Sequence, residues 1–104
     1  MNLGEVRWYK FARPDKKRPV LIITRGDVLD FLGEVTVVPI TSRNREIPSQ
    51  VHLTREDGLA RDCVANCDHL QTITKAKIGP LITTLSAERM REVSLAIRFS
   101  LDLD

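Results

Sequence analysis

The hydrophobic and polar positions of this chain fall into short alternating or β-branched runs, broken by Pro, Gly and charged residues, before the period changes near the end. In GEVRWYKF (residues 4–11) Val6, Trp8 and Lys10 share one face and Arg7, Tyr9 and Phe11 the other, the period-two pattern of a strand. ARPDKK (12–17) is a turn-rich connection. PVLIIT (19–24) is a continuous apolar run of strand length, which predicts a central strand covered on both faces; Pro19 is tolerated there as its first residue. GDVLDFLG (26–33) predicts a short helical turn capped by Asp27. EVTVVPIT (34–41) is a β-branched strand in which Pro39 marks an edge, a bulge or the end of a ladder. After a polar loop, QVHLT (50–54) gives a short strand, and another loop turns around Gly58. CVANCDHLQTIT (63–74) carries one or two strands bent near Asn66.

After Ser86, a candidate N-cap, the period becomes helical. Met90, Val93, Ala96, Ile97 and Leu101 recur on one stripe, while Glu88, Arg89, Arg91, Glu92 and Arg98 are expected to face outward. Five or six short strands followed by one amphipathic helix predict a mainly β domain. Its expected form is a twisted, partly closed sheet with the helix packed on it.

Composition changes this picture little. A chain of 104 residues, 42% hydrophobic and 29% charged, fits one globular domain spanning 1–104. The longest aliphatic run, Val20 to Ile23, is far short of the roughly 18 residues of a membrane-spanning helix. MNLGEVRWYK has no apolar signal-like stretch, so a cytoplasmic protein with no membrane partner is expected. Cys63 and Cys67 are then expected as reduced thiols. With His69 they form only a loose Cys-x3-Cys-x-His, and buried small hydrophobes explain them better than a zinc site.

Charge is more informative. The formal total is +2, yet residues 1–25 carry seven cations against Glu5 and Asp15. That concentration suits an anionic partner, as well as an ordinary solvated face. Phosphate-binding Gly-rich loops, nucleophile elbows and His-Glu-x-x-His are all absent. What remains are polar side chains at strand ends. Arg18, fixed in extended geometry by Pro19, offers a rigid donor fork for a phosphate, or else pairs with Asp15 or Glu34. Thr41 closes its strand with a restricted hydroxyl at the sheet rim, or simply caps the next turn. Adjacent strands would bring the two together.

RPVLIIT, VTVVPITS, GLARDCVANCDHLQTI and KIGPLITTLSAERMREVSLAIRFSL occur in the order and spacing of the MazF/PemK toxin ribonucleases, which the chain resembles over nearly its whole length. The resemblance implies a half-open, Src-homology-3-like barrel of the PemK/CcdB type that forms a homodimer. It also implies cleavage of single-stranded RNA without metal or other cofactor, and neutralisation by a MazE-like antitoxin. Position by position, Arg18 matches the catalytic arginine, Thr41 the threonine ending the Pro-x-Thr strand, and Asp68 an acidic residue active in some members. Lys16, Lys17, Arg43, Arg45, His69 and Gln71 become candidate RNA contacts. The implied reaction is attack by the RNA 2′-hydroxyl on the adjacent phosphorus, giving a cyclic phosphate and a 5′-hydroxyl. Such a reaction needs alignment and charge compensation rather than a protein nucleophile.

The chain departs from the pattern in three places. The 13–17 loop lacks the longer stretch that in many members carries an acid or base. Asn66 and His69 stand where an arginine and a glutamine are common, and Gln71 where an arginine is common. His69 is open to two readings, proton transfer or a hydrogen-bonded structural residue. Two other functions share this barrel: a CcdB-type gyrase poison that grips its target through the terminal helix, and an RNA-binding barrel without cleavage.

Overall fold

The computed structural model describes residues 1–11 and 17–104. The sequence-predicted connection at 12–17, including Lys16 and the Asp15 partner considered for Arg18, lies outside the described residues except for Lys17. The strands are β1 Glu5–Lys10, β2 Lys17–Ile22, β3 Glu34–Thr41, β4 Gln50–Leu53, β5 Cys63–Asn66, β6 Gln71–Thr74 and β7 Ile78–Thr84, followed by helix α1 Ala87–Ser100. All strand pairings are antiparallel, in the order β4-β5-β3-β2-β1-β7, with β6 also on β3. Among the described residues the seven-stranded sheet does not close, which makes it the half-open barrel expected. One strand more than the five or six foreseen is β7. Its Gly79-Pro80 step hides it from periodicity, and its pairing with β1 shifts register twice.

Both faces of β2 are covered, as its uninterrupted apolar run requires. Leu21 joins one core cluster with Val6, Val38, Ile40 and, from α1, Val93 and Ala96; Val20 and Ile22 join a second with Leu29, Val35, Val37 and Ile73. Each of these three β2 side chains is fully buried and contributes roughly 1.5–3 kcal/mol. Period-two alternation along β3 divides its residues between the same two clusters. Trp8 is half-buried, and Tyr9 and Phe11 pack edge-on at 4.9 Å against the second cluster.

Four local expectations change. Strand β2 runs Lys17–Ile22 rather than 19–24, so Pro19 is its third residue, opposite Trp8, and not its first. The 26–33 segment does contain a 3₁₀ turn, Gly26–Val28, but Asp27 does not cap it; Asp27 lies within the turn and makes an exposed ion pair with Arg25 at 3.3 Å. Leu101 sits beyond the last turn of α1 and is 55% exposed, so the buried stripe stops at Ile97. Arg89 turns inward: its Nε donates to Asp57 Oδ1 at 2.9 Å and its Nη1 to Glu92. Hydrophobic periodicity could not reveal a part-buried carboxylate 32 positions away. Ser86 does cap α1, accepting the Arg89 N–H at 3.1 Å, which is worth about 1 kcal/mol.

The site depends on how β3 changes partners. Val20↔Pro39 is the last β2–β3 pair, because Pro39 has no N–H to donate. On its other edge β3 is flanked by β6 and then β5. From Val37↔Gln71 to Ile40↔Ala65, β3 advances three residues and its partner six. The three extra residues, Cys67, Asp68 and His69, are extruded as a 3₁₀ turn. This is the bend expected near Asn66.

Candidate active site

Beyond Pro39 strands β2 and β3 part, and a cleft opens between them. Continuing the β2–β3 register by two residues sets Arg18 opposite Thr41, so both side chains leave the sheet on the same side. The first cleft, about 300 Å³, is lined by Arg18, Thr41, Arg43, Arg45, His69 and Gln71, together with Phe11, Pro39, Ile40 and Asn66. A second, of about 540 Å³, lies against the same pair; there Arg18 and Thr41 meet Lys17, Trp8, Ser42, Arg61 and an apolar wall that includes Leu59 and Ile82. Arg18, Ile40 and Thr41 line both, and so form a ridge between them.

Thr41 ends β3 at the cleft and also caps the turn that follows. Its Oγ1 accepts the Arg43 N–H at 3.3 Å and so caps the next turn. The hydroxyl proton stays available to a ligand, with no acceptor for it among the described residues. Loop 42–49 is held over the cleft by Gln50, which accepts the Arg45 N–H at 2.8 Å and donates to the Arg43 carbonyl at 3.3 Å. Asn44 accepts the Glu46 N–H, and Glu46 takes a left-handed φ of 52°. The two arginines of this loop thereby line the first cleft rather than trail in solvent. Lys17 Nζ lies 5.9 Å from the Trp8 ring centroid, a cation–π contact on the wall of the second cleft.

The extruded turn supplies the opposite side. Buried Ser49 pins it twice: its Oγ donates to Asp68 Oδ2 at 2.5 Å and its carbonyl accepts the Cys67 N–H at 2.9 Å. Asn66, also buried, accepts the Asp68 N–H and contacts His69.

Of the candidates, Arg18, Thr41, Arg43, Arg45, His69 and Gln71 meet in one cleft, and Lys17 joins Arg18 and Thr41 in the other. Asp68 lines neither cleft; its carboxylate is engaged by Ser49. Gln50 and Ser49 escaped sequence analysis, and Asn66 was noted as the place of a bend and as a departure from the family pattern, not as a residue of the site. The one available signal was a polar residue inside an otherwise apolar run, Cys-Val-Ala-Asn-Cys. Cys63 and Cys67 are buried free thiols, and among the described residues no group of three or more His, Cys, Asp or Glu side chains is placed to hold a metal ion. No described helix is long and apolar enough to cross a membrane.

A half-open antiparallel barrel with one terminal helix thus carries a cationic double cleft at the parting of two strands, the arrangement of a small barrel protein built to take a polyanion. The family model for the PemK-like, MazF-like toxins of type II toxin-antitoxin systems matches residues 2–101. The chain belongs to that family. Two curated relatives from Mycobacterium tuberculosis are similar over almost the whole length. A probable endoribonuclease MazF2 is 38% identical over 101 residues, covering 96% of this chain and 97% of its own. The endoribonuclease MazF3 is 40% identical over 93 residues, covering 89% and 90%. Among solved structures, the Mycobacterium tuberculosis toxin MazF-mt6 superposes with a TM-score of 0.89 at 36% identity, covering 96% of this chain and 98% of that one.

Proposed function

We propose that this toxin is an endoribonuclease that cuts single-stranded RNA at the Arg18–Thr41 ridge. The observation that carries the reading is that these two side chains are shared by both clefts, which leaves room for a nucleotide on each side of one phosphate. The RNA 2′-oxygen forms a bond to phosphorus as the bond from phosphorus to the 5′-oxygen breaks; the 2′-hydroxyl proton is lost and the leaving oxygen gains one. The substrate carries its own nucleophile, so the protein must align it and offset the charge growing on the phosphoryl oxygens. Arg18 supplies a permanently charged, bidentate donor and Thr41 a hydroxyl. Lys17, Arg43 and Arg45 draw the backbone in, and the first cleft adds His69 and Gln71 as hydrogen-bonding groups for a base. Lys16 continues the same basic run.

As a type II toxin, the chain is paired with an antitoxin of MazE-like kind, whose acidic or extended segment suits a basic rim. It acts in the cytoplasm, as a homodimer. Exposed Leu95 and Phe99 on α1, with Leu101 and Leu103 after it, are apolar side chains that a second copy can cover. The function is tested by incubating the protein with a mixed RNA pool in chelator and mapping the new ends. Cyclic phosphates and 5′-hydroxyls are expected, with cleavage at least tenfold slower in Arg18→Ala. Ends carrying a 5′-phosphate, or wild-type cleavage by Arg18→Ala, overturn the mechanism.

A further inference from the structure

The extruded turn contains a chain of hydrogen bonds whose direction is fixed by its first member. The Asp68 backbone N–H can only donate, and it donates to Asn66 Oδ1 at 3.1 Å. The Asn66 amide therefore presents its NH₂ group to His69 Nδ1, 3.3 Å away. An amide NH₂ offers two protons and no lone pair, so Nδ1 must be the accepting nitrogen. In the neutral ring the proton then sits on Nε2. Asn66 is 8% exposed and held by the β5 ladder, whereas His69 is exposed and lines the first cleft with Arg18 and Thr41.

Resting on the reading that this cleft receives RNA, we propose that Asn66 is a positioning residue that holds His69 as its Nε2–H tautomer, a neutral hydrogen-bond donor to the RNA beside the ridge. Of the two readings the sequence left open, proton transfer or a hydrogen-bonded structural residue, this takes the hydrogen-bonded one and joins to it the RNA contact that the family resemblance implied for His69. The cleft is already lined by three arginines, Arg18, Arg43 and Arg45. A neutral ring donates there without adding like charge to them. A ring locked in one tautomer also discriminates, since Nε2–H donates to a carbonyl, ring nitrogen or phosphate oxygen and is left unpaired by an amino group.

The tautomer is read without RNA, from the long-range ¹H–¹⁵N correlation pattern of histidine-labelled protein at pH 8. His52 is distinguished by the spectrum of His69→Gln. The wild type is expected to show the Nε2–H pattern at His69. Asn66→Asp keeps the cap on the Asp68 N–H but sets a carboxylate against Nδ1, and is expected to convert the ring to Nδ1–H while the melting curve stays cooperative. In RNA cleavage, His69→Ala is expected to raise KM more than it lowers kcat, with kcat/KM falling about tenfold or more. His69→Gln, whose amide N–H reaches the Nε2 position, is expected to be at least about fivefold faster than His69→Ala. An Nδ1–H or averaged pattern in the wild type overturns the proposal. So does Asn66→Asp retaining Nε2–H, His69→Ala cutting as the wild type does, or His69→Gln no better than His69→Ala. A wild-type protein that cuts no RNA refutes the nuclease reading instead, and the spectra still decide the tautomer.

Discussion

Replacing Thr41 by valine keeps the β-branched shape and removes a single oxygen, which makes it the sharpest test of the ridge. Within the folded protein that oxygen has one partner among the described residues, the Arg43 N–H, at a long 3.3 Å. Its loss from a half-buried position costs about 0.5–1 kcal/mol of stability. In a domain of this size that lowers Tm by no more than about 4–8 °C. The effect on chemistry is different in scale. A hydroxyl aimed at charge that develops only in the transition state is worth about 10²–10³ in rate, or roughly 2.7–4 kcal/mol. Thr41→Ser keeps the oxygen but frees the rotamer that the methyl group restricts, so its activity should fall between the two. The assay is single-turnover cleavage of a quenched fluorescent RNA at saturating protein, run beside a melting curve. If Thr41→Val cleaves within threefold of wild type, or loses activity only in step with its unfolded fraction, the hydroxyl plays no part in the reaction.

Other predictions address the surroundings of the ridge. Lys17→Ala should lower affinity for an RNA made uncuttable by a 2′-deoxy substitution, and flatten the slope of log Kd against log salt by about 0.7, one phosphate contact on a single strand; an unchanged slope removes Lys17 from the interface. Arg89→Ala should cost about 1.5–3 kcal/mol in urea unfolding, since it strips a charged hydrogen bond from nearly buried Asp57. Burial pushes the Asp57 carboxyl up, but the Arg89 and Thr54 hydrogen bonds outweigh it and hold the group below its ordinary value of 3.8. That contribution is therefore present above about pH 4 and lost as pH falls below it. Arg89→Ala should flatten the acid limb of stability against pH, and an acid limb as steep as wild type contradicts the pairing. Burial, with Asp68 beside it, pushes the Cys67 thiol up to about 11, so thiol reagents at pH 8 should label it only after unfolding; fast labelling of the native protein would place it at the surface.

Much of the framework was legible because it follows from local rules. The β-branched run of β3 gave its bounds, the unbroken apolar stretch of β2 gave a strand buried on both faces, and Ser86 gave the start of α1. Pro39 gave an edge, a bulge or the end of a ladder, and the last of these is what opens the cleft; consecutive strands put Arg18 and Thr41 together. What was not legible depends on contacts distant in sequence. Arg89 reads as a solvated helix residue until Asp57 is folded against it. Gln50 reads as the polar start of a strand until loop 42–49 lies across it. The number of residues extruded at 67–69 is set by two strands sharing one edge of β3, and no window along the chain contains both pairings. Asp68 shows the reverse difficulty: its place in a family motif suggested the cleft, and the neighbouring Ser49 engages its carboxylate outside it.

The Arg18–Thr41 ridge has a hollow on either flank, one lined by Arg43, Arg45, His69 and Gln71, the other by Lys17, Arg61, Leu59 and Ile82. An RNA recognised there is cut at the bond that rests on the crest, with chain continuing on both sides, so free ends give no advantage. A covalently closed circle of RNA should then be nicked as readily as the linear strand of the same sequence, which no exonuclease can do.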